Sequence, residues 1–122
     1  MEAGVKRVSE KITTQVAFER PDTTMLAATQ ATLAEKSPVT GSVIEIELHF
    51  PNGCNALVEI SCFINQQQIL PVTGFIALND ATRTYTVNRN VRKNDQLRVI
   101  IANRDGGFSH TPSIIWTLAG VP

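Results

Sequence analysis

The chain has 122 residues, of which 43% are hydrophobic and 18% charged, and its eleven basic and eleven acidic side chains leave a formal net charge of zero. That length supports one domain with one core, and the composition excludes a wholly disordered polypeptide. A neutral chain has no global attraction to nucleic acid or to an anionic membrane, and no apolar run is long enough to span a bilayer, so neither is expected as a partner.

Local charge is less even. Between residues 81 and 104 six cations (Arg83, Arg89, Arg92, Lys93, Arg98 and Arg104) stand against the single anion Asp95, while residues 35–59 hold four anions and one cation. A solvated surface accounts for this; the sharper reading is that opposite patches meet between copies of the protein or on a larger partner, where complementary charge fixes register. The basic run lacks the interleaved aromatics on which single-stranded nucleic acids stack. Glu2, Lys6, Arg7, Glu10 and Lys11 are spread over the first residues without an apolar segment, so these are not expected to be a secretory signal.

Residues 1–37 read as an N-terminal arm. Val5, Val8, Ile12 and Val16 keep a three-or-four spacing that suits a short amphipathic helix, although the stripe is thin and Thr13-Thr14 is a weak helix former. Val16-Ala17-Phe18 is equally compatible with a short strand closed by Arg20-Pro21-Asp22. The Thr- and Ala-rich stretch that follows is either a helix capped by Asp22 or an extended segment with Met25, Ala27, Thr29 and Ala31 on one side. The extended form is preferred. With no glycine between Gly4 and Gly41 and few large apolar residues, the arm has no core of its own and is expected to lie on another surface.

Residues 38–122 read as a β-sandwich domain. From 44 to 50 the chain alternates, with Ile44, Ile46, Leu48 and Phe50 on one parity and Glu45, Glu47 and His49 on the other, which describes a half-buried strand. After the turn Pro51-Asn52-Gly53-Cys54-Asn55 a second strand puts Val58, Ile60, Cys62 and Ile64 inward. Its outward set, Leu57, Glu59, Ser61 and Phe63, is only partly polar, so Leu57 and Phe63 call for a cover. Gln68 to Pro71 and Gly74 to Leu78 are short strands, and Thr82 to Asn88 is a strand with Tyr85 and Val87 opposite Thr84 and Thr86. Gln96 to Asn103 is apolar on both faces, as a central strand is, and Ser113 to Ala119 closes the fold with Ile114, Trp116 and Leu118 inward. Strands recurring at roughly ten-residue spacing between turn signals predict an all-β fold, an antiparallel sandwich or jelly roll with an extended N-terminal arm.

Cys54 and Cys62 lie eight positions apart along a turn and strand, roughly 25 Å if extended, too far for a disulfide. Both are expected as free thiols, which favours assembly in a reducing cytoplasm. No cofactor, metal site or catalytic residue is expected. His49 shares its strand face with Glu45 and Glu47, but two ligand types on a solvated face fall short of a zinc set. Asp105, Ser109 and His110 have the residue types of a hydrolytic triad but crowd into one loop with no nucleophile elbow, so His110 is expected to pin that loop by hydrogen bonding. Phe108, beside Gly106-Gly107, either tucks under its loop or meets a partner or a sugar ring. A ligand-binding sandwich would use the loops around Phe75, Tyr85, Phe108 and His110.

The order of these elements resembles small β-sandwich virion proteins of tailed phages. The resemblance runs over residues 38–119. It rests on Pro38-Val39-Thr40-Gly41-Ser42 leading into Val43–Phe50, on Pro51–Val58, on Gln68–Pro71 and Gly74–Asp80, and on Asn103-Arg104-Asp105 followed by Ser109-His110-Thr111. It implies a non-enzymatic structural protein, a capsid decoration or minor head component, assembled in the host cytoplasm and located in the virion. Its implied partners are copies of itself, as a trimer or other multimer, and a major capsid protein. On physical grounds the intersubunit contacts are expected at Val5, Val8, Ile12, Phe18, Met25 and Leu26 in the arm, with Leu57 and Phe63 on the sheet.

Overall fold

In a computed structural model of the chain, residues 24–122 are described in full and residues 16–19 by their backbone. Eight strands follow in order: β1 (Val16–Glu19), β2 (Thr29–Lys36), β3 (Thr40–Phe50), β4 (Val58–Ile64), β5 (Gln67–Leu70), β6 (Ala81–Val91), β7 (Gln96–Asn103) and β8 (Ser113–Val121). They form two four-stranded antiparallel sheets in the orders β1-β8-β3-β6 and β2-β7-β4-β5. Every connection except the β4–β5 hairpin passes from one sheet to the other, and the fold is a jelly roll. The β1–β2, β3–β4, β5–β6 and β7–β8 connections gather at one end of the sandwich, and the other three gather at the opposite end.

The core lies between the sheets and follows the period of two. From β4 it takes Val58, Ile60, Cys62 and Ile64; from β7, Leu97, Val99 and Ile101; from β8, Ile114, Trp116 and Leu118. Each fully buried aliphatic or aromatic side chain stabilises the fold by about 1.5–3 kcal/mol relative to exposure, which outweighs any surface ion pair here. In β3 the inward set is Val43, Ile46, Leu48 and Phe50, all at 0% exposure. Ile44, expected inward by parity, is only half-buried because the register of β3 shifts between Val43 and Glu45 against both neighbours. A bulge inserts one residue and resets the alternation after it. Cys54 and Cys62 are free and buried, and burial pushes the Cys62 thiol up to about 12.

The expected arm boundary at residue 37 is corrected over its last part. β2 pairs with β7 of the same chain from Thr29↔Asn103 to Lys36↔Gln96, and Ala31 and Leu33 pack against the core. The stretch looks coreless in sequence because an edge strand needs to cover only one side of one neighbour, and two modest apolar residues suffice. Met25, expected at a subunit boundary, is 4% exposed and bridges to His110 of its own chain. β1 also pairs within the subunit, Phe18 facing Trp116 in the register of β8. Val5, Val8 and Ile12 lie outside the described residues. The strand expected at Gly74 to Leu78 is reduced to one bridge, Ile76↔Ile60, since Gly74 takes a positive φ of 78°.

The end of the sandwich that carries the β2–β3, β4–β5 and β6–β7 connections is closed by hydrogen bonds among its own turns. Ser37 N–H donates to Asp95 O and Asn94 N–H to Ser37 O, both at 2.8 Å. Asn65 Oδ1 accepts from Gln96 N–H, and Arg98 Nη1 donates to Asn65 O. The left-handed positions there are Asn65 and Asn94, a residue type that tolerates that conformation.

Candidate functional site

At the other end the β3–β4 and β7–β8 loops face each other across an open cleft of ≈ 620 Å³. Asn52, Asn55 and Leu57 stand on one wall, and Phe108, Ser109 and the Asp105–His110 pair on the other. Both walls are held from behind. Asn79, in the β5–β6 connection, accepts the Gly53 and Asn55 backbone N–H groups on one carboxamide oxygen, each at 2.9 Å. Asn103, 2% exposed at the end of β7, donates from Nδ2 to the carbonyls of Met25, Leu26 and Phe108 at 3.1, 3.1 and 2.9 Å. Its Oδ1 accepts Asp105 N–H at 3.0 Å. One buried amide thereby ties three segments together.

Asp105 continues the chain of support. One carboxylate oxygen accepts Gly107 N–H and the other accepts His110 Nε2–H, each at 2.9 Å. The Gly107 amide first, and then the His110 ring, hold the Asp105 carboxyl below the usual carboxylate range. Burial, with the Asp105 charge nearby, pushes the Cys54 thiol up. His110 also exchanges both backbone hydrogen bonds with Met25, at 3.0 and 2.8 Å. Two alanines at this end, Ala28 (φ 55°) and Ala56 (φ 60°), sit in the left-handed region, which costs a residue with a Cβ about 1–2 kcal/mol. Strain of that kind persists where surrounding bonds over-determine the backbone. Ala28 N–H donates to Asp105 O and Ala56 N–H to Leu78 O.

Because the Asp105 pKa is lowered on folding, its contribution to stability is complete above the unfolded carboxylate value of about 3.9. It is lost as pH falls through the lower folded value. Urea unfolding from about pH 7 to about pH 2.5 should show the native chain losing stability below about pH 4, with a shallower acid limb in Asp105→Asn. Parallel acid limbs for the two proteins would contradict the assignment.

The structure brings together only some of the residues that the sequence singles out. Phe108 is 70% exposed at the mouth of the cleft and His110 is buried behind it. Phe75, 54% exposed in the β5–β6 connection, does not line the cleft, and Tyr85 does not belong to the loops at all. It pairs opposite Ile46 on β6 and packs against the core. Ser109 is exposed and its hydroxyl makes no hydrogen bond to His110, so no nucleophile is relayed to the Asp105–His110 pair. His49 Nδ1 lies 2.7 Å from Thr82 Oγ1, and among the described residues no group of three or more His, Cys, Asp and Glu side chains is gathered for a metal ion. Leu26 and Leu57 are 64% and 38% exposed. Phe63 is half-buried on the outer face of β4, with the Arg98 guanidinium 5.2 Å from its ring centroid. The carboxamides of Asn52, Asn55, Asn79 and Asn103 are not singled out individually by the sequence; the only trace of them there is the turn vocabulary in which they sit.

No protein-family model matches the chain, and no curated protein matches it. Solved structures align with it at low identity. VP2 of the infectious bursal disease virus subviral particle superposes with a TM-score of 0.51 at 12% identity, over 87% of this chain and 33% of the viral one. The chain therefore spans about a third of that protein and shares its fold. FlhE aligns with a TM-score of 0.48 at 14% identity, over 85% of this chain and 96% of its own. A carbohydrate-binding module of Cellvibrio mixtus lichenase 5A, solved with cellotriose, aligns with a TM-score of 0.35 at 17% identity, over 88% of this chain and 87% of its own.

Proposed function

We propose that the chain is a non-enzymatic structural protein of a virion, a jelly roll that decorates and stabilises a capsid by lying against copies of itself and a major capsid protein. The observation that carries this reading is the outer face of β2-β7-β4. Across it the register sets Thr32, Ile100 and Ser61 side by side, then Ala34, Arg98 and Phe63. Ile100 points away from the core between two small residues, and the Arg98 guanidinium lies over the Phe63 ring. The face thus has an apolar centre at Ile100 with polar and charged neighbours, Arg98, Gln30 and Glu59, around it, the pattern of a contact surface with an apolar core and a polar rim. The fold shared with a viral protein, VP2 of the infectious bursal disease virus subviral particle, supports the same reading. With β2 paired inside its own subunit, this sheet face takes the part that the arm was expected to play.

Sedimentation of the full chain over a wide concentration range tests the proposal. Self-association is expected, weakened about tenfold or more by Ile100→Glu, which places a charge at the centre of the face. Thermal unfolding of the variant should match the parent, because Ile100 lies outside the core cluster. A chain that stays monomeric throughout, or an Ile100→Glu variant that associates as well as the parent, overturns it.

A further inference from the structure

We infer that the cleft between the β3–β4 and β7–β8 loops is a binding site for a neutral saccharide ring, separate from the sheet face proposed for assembly. Three observations converge on it. Phe108 keeps 70% of its surface exposed although its own carbonyl is anchored by the buried Asn103 amide. The ring is thus presented on a fixed backbone. The side chains of Asn52, Asn55 and Ser109 line the same cleft and make no hydrogen bond with other described residues, while the loops beneath them are tied down by Asn79, Asn103 and Asp105. Finally, the volume of ≈ 620 Å³ falls within the range of small-molecule sites, roughly 300–1,000 Å³.

The chemistry of the walls selects the ligand. An aromatic face packs against the C–H face of a pyranose, and carboxamides supply paired donors and acceptors that match vicinal hydroxyls. A site whose loop backbone is held in place loses less entropy on binding than one on untethered loops. The charge excludes acidic ligands. Asp105 is an anion at the cleft, and Arg104, next to it in sequence, directs its Nε–H to Glu59 Oε1 at 2.9 Å and does not line the cleft. Phosphate, sulfate or a sugar carboxylate would meet the Asp105 carboxylate with no lysine or arginine lining the cleft to offset it. Neutral hexoses or hexosamines fit this pattern.

The full chain, displayed on a printed panel of neutral, sialylated and sulfated oligosaccharides, should retain a subset of the neutral ones. Titration calorimetry with the best of them should show about tenfold or greater loss for Phe108→Ala and for Asn52→Ala, with binding kept in Phe108→Trp. These side chains are exposed, so the melting temperatures of the variants should match the parent and exclude unfolding as the cause. The proposal is overturned if no neutral glycan binds, if binding is confined to acidic glycans, or if Phe108→Ala binds as the parent does. Ile100→Glu should leave glycan binding unchanged, which separates failure of this site from failure of the assembly face.

Discussion

Replacing Asn103 by Leu should destabilise the protein by about 2–4 kcal/mol, because two backbone groups lose their partner and two more lose one of two. Leucine shares the branching of asparagine and is apolar, so burial alone would favour it. The loss comes from what asparagine satisfies: Nδ2 serves the carbonyls of Met25, Leu26 and Phe108, and Oδ1 serves the amide of Asp105. A buried carbonyl or amide without a partner costs about 1–3 kcal/mol; Met25 O keeps the His110 amide and Leu26 O keeps the Thr29 hydroxyl, so the Phe108 carbonyl and the Asp105 amide are the two left without one. Asn103→Asp should be at least as damaging, since it turns an acceptor towards three carbonyl oxygens. Urea unfolding measures the loss as a lowered midpoint with an unchanged slope. Native-state hydrogen exchange should show the Met25 and His110 amides opening first, because the bridge between them rests on the same anchor. A midpoint within experimental error of the parent would mean that Asn103 does not hold this end together.

That residue also marks where sequence reasoning stops. The strands at 58–64, 96–103 and 113–121 are legible because each carries three or more large apolar residues at period two, and no helix can bury such a set. β2 is not legible as part of the sandwich. Its inward residues are Ala31 and Leu33, too few to distinguish an edge strand from an extended arm, and the difference depends on the unpaired side of β7, which no local pattern displays. The bulge beside Ile44 is hidden for a related reason, being a property of pairing between strands and not of one strand. At the cleft, Phe108 and His110 stand out by residue type. The groups that orient them, Asn79 and Asn103, are single polar residues with partners as far as 24 to 78 positions away in the chain.

The two proposed surfaces occupy different parts of the jelly roll, and this follows from its topology. Connections that cross between sheets must arch over the ends, so exposed loop residues collect there, while the outer faces remain regular pleated surface. A regular pleated face offers broad area for contact. A loop end offers shaped polar groups at the expense of local strain, seen here at Ala28 and Ala56. A shell component that also recognises a sugar would therefore divide its tasks along these lines without either surface interfering with the other.

The second large effect lies away from both surfaces, where β3 begins and β8 ends. Gly41 and Gly120 face each other across the ladder. Glycine within a strand usually favours replacement, since alanine restricts the unfolded chain and stabilises by about 0.4–1 kcal/mol where its conformation fits. Neither glycine has the positive φ that would exclude alanine, so conformation alone predicts a gain. Packing reverses the sign. A Cβ on Gly41 would fall inside contact distance of the Ala119 carbonyl oxygen and 2.6 Å from the Gly120 Cα, and one on Gly120 would meet the Thr40 carbonyl and lie 2.9 Å from the Gly41 Cα. The obstacles are backbone atoms, which no rotamer change can move aside, so strand separation must increase and ladder hydrogen bonds must lengthen. Gly41→Ala and Gly120→Ala should each destabilise by about 3 kcal/mol or more, within the range of severe steric substitutions. Because a single displacement of β8 from β3 relieves both clashes, the double variant should lose clearly less than the sum of the two. Urea midpoints for the parent, the two single variants and the double variant close the cycle. Stabilisation by either alanine would show that the strands do not approach this closely, and strict additivity would show that the two glycines do not share one contact.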